Sequence, residues 1–119
     1  MASDSTVPLA IFSADLALSR HGGDREALRA ALREALVALP RQIEGLMGGG
    51  DAIDFVLRAG ALRDAFSNVG AVAGVAAVGA FELAAQTGVR EHAVRECRRV
   101  EAAWVALAPH LERHLARLE

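Results

Sequence analysis

Four histidines and one cysteine are the side chains of this sequence best suited to nucleophilic, acid–base or metal chemistry. His21 stands just before Gly22-Gly23, where a helix is expected to end, and a cation there interacts favourably with the helix dipole. His92 falls in the first turn of the last helix beside Glu91, on a solvated face. His110 and His114 are four apart and project from one side of a helix, a spacing that suits a metal. Glu112 between them points elsewhere, and His-x-Glu-x-His is not the pattern of zinc proteases, so no metal site is expected. Cys97 falls on an apolar seam and reads as a buried, inert thiol. Gly48-Gly49-Gly50 lacks the Gly-Lys-Ser/Thr that completes a phosphate-cradling loop. No pair of carboxylates stands apart from the scattered surface acids. Residue chemistry alone therefore shows no active site and calls for no cofactor.

The elements that must position these residues are helices. β-branched residues are sparse and never alternate with polar ones over a useful length. Residues 1–12 read as an arm. Ser13 caps a short helix, 14–20, which Gly22-Gly23 ends. Asp24 opens the second helix, whose apolar face is Leu28, Leu32, Leu36, Leu39, Ile43 and Leu46, with Arg25, Arg29 and Arg33 on another. Pro40 should kink or divide it, and the triple glycine should stop it. Asp51 is placed to cap a third helix with the apolar line Phe55, Ala59, Leu62, Phe66 and Val69, ending near Gly70. The fourth, about 72–85, is nearly all Ala, Val and Gly, so it must be buried on most sides or packed closely through its small residues. Gly70 and Gly74 make a GxxxG, which in such a helix means close packing. Thr87-Gly88 ends it. The fifth runs from near Val89 almost to the last residue, with Cys97, Val100, Trp104, Leu107, Leu111, Leu115 and Leu118 as its seam and Pro109 bending it. The expected fold is all-α: an up-down four-helix bundle over 13–119 with a short additional N-terminal helix.

Composition excludes several classes. The 119 residues suit one domain, and 53% apolar content is enough for a core. A net charge of −2 offers no basic excess for nucleic acid or anionic lipid. All 13 basic residues are arginines, whose fork suits carboxylate and phosphate. One cysteine closes no internal disulfide. MASDSTVP is not the start of a signal peptide, and the most apolar stretch, 69–81, is shorter than the roughly 20 residues a membrane span needs. A cytoplasmic, soluble protein is expected.

The third helix carries a resemblance. Ala59-Gly60-Ala61-Leu62-Arg63-Asp64-Ala65-Phe66-Ser67-Asn68-Val69-Gly70-Ala71 resembles the signature of the histidine-containing phosphotransfer (HPt) family of bacterial phosphorelays, roughly AHxLKGxAxxxGA. Ala17 to Asp24 looks like that family's short first helix and Gly-Gly-Asp turn, and 28–49 like its long second helix and glycine-rich turn. Glu82 stands where the family often has an acid. The likeness covers about residues 13–117.

Such domains pass a phosphoryl group between receiver aspartates through an exposed histidine. A nearby Lys or Arg steadies the charge, and a glycine one turn on admits the receiver. The resemblance implies that Arg63 stands at the basic position, and that Ala59, Leu62, Val69 and Gly70 match packing positions. Phe66 replaces a small residue, and the core must absorb it. Gly60 stands where the histidine belongs and cannot accept phosphate. Asp64 stands where the close-approach glycine belongs and repels phosphoryl groups. The resemblance therefore implies a pseudo-phosphotransfer module with no catalytic residue, docking a receiver domain or sensor histidine kinase through Ile53, Leu57, Gly60, Arg63, Asp64 and Ser67 on the exposed side of the third helix. Two other functions are carried beside it: an active phosphotransfer protein with a non-standard acceptor, and a helical homodimer outside phosphorelays formed through the fourth helix or the Trp104–Leu118 seam. Self-association is not indicated by the sequence.

Overall fold

Two capping side chains begin the fold. Ser13 Oγ accepts the Leu16 N–H at 3.2 Å and opens α1 (Ala14–Arg20). Asp24 Oδ1 accepts the N–H groups of Glu26 and Ala27 at 2.9 and 3.2 Å and opens α2 (Arg25–Glu44). Each acid or hydroxyl satisfies donors that have no partner inside a helix. Between these helices the chain reverses at Gly22 and Gly23, whose φ angles of +62° and +80° disfavour any side chain. The structure, a computed structural model, describes residues 9–48 and 52–119. The remaining helices are α3 (Ala52–Asn68), α4 (Val72–Gln86) and α5 (Arg90–Leu118), and no strand occurs among the described residues. The expected cap at Asp51 lies outside them, as do Gly49 and Gly50.

The apolar lines of α2 and α3 meet inside. Leu28, Leu32, Leu39, Ile43 and Leu46 are buried with Ala59, Leu62, Phe66 and Val69, and Leu36 and Phe55 pack at the margin. Both internal prolines are accommodated without dividing a helix: α2 runs through Pro40 and α5 through Pro109. The expected stop of α2 at the triple glycine comes early. The helix ends at Glu44, and tight turns from Leu46 to Ile43 and from Gly48 to Gly45 take over. Leu46 stays buried because this turn still lies on the core.

The fourth helix departs from the burial expected of it. Gly74, Val78 and Phe81 are buried, but Leu83 on another side is 68% exposed. Close packing through small residues does hold. A methyl at Gly74 would meet Phe66 Cδ1 at only 2.5 Å, so the bare backbone of α4 is what absorbs the large Phe66 ring. Gly70, at φ +71°, turns the chain between α3 and α4, and its carbonyl accepts the Ser13 N–H at 2.9 Å. Ala10 O likewise accepts the Ala73 N–H at 2.9 Å, so residues 9–12, assigned to the arm, lie against the helices.

Helix pairings are simple. Both α2 and α4 pack on α3 and on α5, and α1 lies against α2 and α3. The α5 seam faces inward: Cys97, Val100, Leu107 and Leu111 are buried, and Trp104, Leu115 and Leu118 pack on the core. It is therefore part of the core. Among the described residues no helix is long and apolar enough to cross a membrane.

Candidate functional site

The outward side of α3 is built from residues three and four apart, which a helix places on one face. Ile53 and Leu57 are 68% and 65% exposed, as expected, and Val56 joins them at 65%. Three large aliphatic side chains thus stand in water within the first two turns of one helix, an arrangement that favours a partner. Gly60 follows, then Arg63, Asp64 and Ser67, so all six expected residues share this side. Val56 was legible in principle, one turn before Gly60.

At Gly60 there is no side chain, but the space is not empty. Arg63 Nη2 lies 3.9 Å from where a Cβ on Gly60 would sit, an ordinary contact. The same guanidinium crosses to α4, where Arg63 Nη1 donates to Glu82 Oε1 at 2.5 Å. Arg63 therefore lies beside Gly60 with its charge already paired.

The C-terminal end of the face is held by α1. Arg20 donates to the Ser67 hydroxyl, and His21 Nε2 donates to the Asn68 carbonyl at 3.0 Å. A carbonyl only accepts, so this contact places a proton on Nε2. His21 is thus the histidine that reaches α3, and the nitrogen that reaches it is occupied. Sequence gave no signal for the Arg20–Ser67 contact, because the residues are 47 apart.

The other histidines lie elsewhere. His92 Nδ1 is 3.5 Å from Thr87 Oγ1 at the start of α5. His110 and His114 flank the Phe12 ring, at 6.4 and 5.2 Å between centroids. Burial first, then the charges of Arg117 and Arg25, lower the His114 pKa. Burial, followed by Glu101, raises that of the Cys97 thiol, which keeps it protonated and unreactive. Among the described residues no group of three or more His, Cys, Asp or Glu side chains is placed to hold a metal.

The α3 face offers apolar area, a gap in the side-chain row, the paired Arg63 and the carboxylate of Asp64, with no nucleophile at its centre. Comparison with protein-family models, curated proteins and solved structures finds no match to this chain.

Proposed function

We propose that the protein is a phosphotransfer-like docking module of a two-component phosphorelay, acting in the cytoplasm, that binds a receiver domain or sensor kinase and carries no phosphate. The observation that carries this reading is the α3 face, where exposed Ile53, Val56 and Leu57 run up to a position without a side chain. The pairing of α2 and α4 each with α3 and α5 supports an up-down four-helix bundle with α1 in front, the scaffold the resemblance implies. A bundle alone does not fix function, so the reading leans on the face. Arg63 leans toward the acceptor position but is spent on Glu82, and Asp64 sets a negative charge beside it. Both favour docking over transfer.

The test mixes purified protein with phosphorylated receiver domains of the same organism and follows binding and label transfer. A Gly60→His/Asp64→Gly variant runs alongside. The expected result is binding without label in the natural protein and label in the variant. Label on the natural protein would refute the proposal and send the search to His21 first. Absence of binding by either protein would leave the likeness as one of fold.

A further inference from the structure

Where α1, the start of α2 and the end of α5 meet, the chain leaves a cleft of about 250 Å³ that draws no residue from α3. Its floor is apolar: Leu28 is buried there, and Leu18 and Leu118 pack on the core. Its rim is cationic. Arg25 opens α2, and Arg117 stands in the last turn of α5, three residues after His114. The ion pairs among the described residues are Arg29–Glu26, Arg33–Glu119, Arg63–Glu82 and Arg99–Glu96, and neither rim arginine belongs to one. Glu119, two residues from Arg117, is turned to Arg33 at 2.6 Å. Asp15 is the carboxylate among the described lining residues, and it too stands outside those pairs. Burial, followed by the charges of Arg117 and Arg25, holds the His114 pKa down, so both guanidinium groups act on this imidazole. At neutral pH the ring is uncharged and keeps one N–H to donate.

We infer that this cleft is a binding site for a small organic carboxylate, its head between Arg25 and Arg117 and its apolar body on Leu18, Leu28 and Leu118. Two arginines, one aspartate and a neutral imidazole leave a single positive charge in excess. One negative charge balances it, and a dianion such as phosphate overshoots. Guanidinium forks match the two oxygens of a carboxylate, and the His114 N–H adds a third kind of donor. The leucine floor takes an alkyl body out of water. Drug-sized ligands occupy roughly 300–1,000 Å³, so this smaller cleft limits the body to a few carbons. The site stands whether or not α3 docks a receiver.

The test uses the full chain with ¹³C-labelled leucine methyls, titrated at neutral pH with hexanoate, with hexanamide as its uncharged isostere, and with inorganic phosphate. The expected result is saturable shifts at the Leu18, Leu28 and Leu118 methyls and the His114 ring protons with hexanoate. Leu57 and Leu83, exposed elsewhere, stay unmoved. Affinity falls about tenfold or more with hexanamide and in an Arg25→Gln/Arg117→Gln variant, since charge-assisted hydrogen bonds are lost. Asp15→Asn, which removes the opposing charge, tightens hexanoate about twofold or more. Absent shifts, equal binding of hexanamide, or binding unchanged in the double-arginine variant overturns the site. Phosphate binding as tightly as hexanoate overturns the organic carboxylate as its ligand. Shifts as large at Leu57 and Leu83 as in the cleft mark general adsorption and overturn the site as well.

Discussion

Alanine at Gly60 and alanine at Gly74 should move stability in opposite directions, although both glycines are helical. Glycine inside a helix costs about 1 kcal/mol relative to alanine. At Gly60 a methyl meets only Arg63 Nη2, at 3.9 Å, so nothing opposes that gain. Unfolding entropy of about 2.1 cal/mol/K per residue gives roughly 250 cal/mol/K for a chain of this length, so 1 kcal/mol is about 4 °C in Tm. At Gly74 the same methyl would stand 2.5, 2.7 and 2.9 Å from Cδ1, Cγ and Cε1 of Phe66. That ring is fully buried and cannot swing into water. Overpacking of this kind costs about 1–3 kcal/mol. The propensity gain is smaller at Gly74 because it lies in the first turn of α4. A net loss of about 1–2 kcal/mol, or roughly 4–8 °C, is expected. Thermal melts followed by circular dichroism and by the single Trp104 measure both variants. Phe66→Leu combined with Gly74→Ala should recover part of the loss, a coupling that a double-mutant cycle reads. A Gly74→Ala protein as stable as Gly60→Ala would refute the packing of Phe66 on the α4 backbone.

Arg63→Ala should change Tm by no more than about 4 °C, because a solvent-exposed ion pair contributes under about 1 kcal/mol; a larger drop in the melt would mean that Arg63–Glu82 holds α3 to α4. Asp24→Ala removes the acceptor for two N–H groups of α2 and should cost about 1 kcal/mol, read by urea denaturation. His114 has a pKa below its ordinary 6.5, so the unfolded chain takes up that proton first. Its contribution to stability is therefore complete above pH 6.5 and is lost as the pH falls below it, until the folded imidazole also protonates. Ring-proton NMR should give a His114 midpoint under 6.5, and a midpoint above it would falsify the assignment.

Local signals carried most of the element plan. The Ser13 and Asp24 caps, the Gly22-Gly23 reversal and the apolar lines of α2, α3 and α5 depend on neighbours within a turn, and they stand where the sequence puts them. The end of α2 was misread because Leu46 continues the helical rhythm after the helix has stopped; burial and helicity separate there. In α4 small residues removed the contrast between faces, so periodicity could not tell the buried Val78 side from the exposed Leu83 side. For the candidate site, one helix sufficed to group Ile53, Leu57, Gly60, Arg63, Asp64 and Ser67. What could not be read was everything arriving from another helix: Glu82 on Arg63, Arg20 on Ser67, and Glu34 across a groove from Asp64. Those contacts depend on how helices lie side by side.

The Phe12 ring resting 5.2 Å from that of His114 also determines how this unit can be joined to others. Helix α5 ends only four residues past His114, about 6 Å along its axis. The chain therefore enters and leaves the helical body at the same pole. A unit with neighbouring entry and exit can be spliced into a surface loop of a host protein without prying that loop apart, as readily as it can be appended to a terminus. It can also be circularised: a linker from residue 119 back around α1 to residue 9, with the chain reopened in the exposed Thr87-Gly88 turn, would keep every helix intact and start the polypeptide at α5.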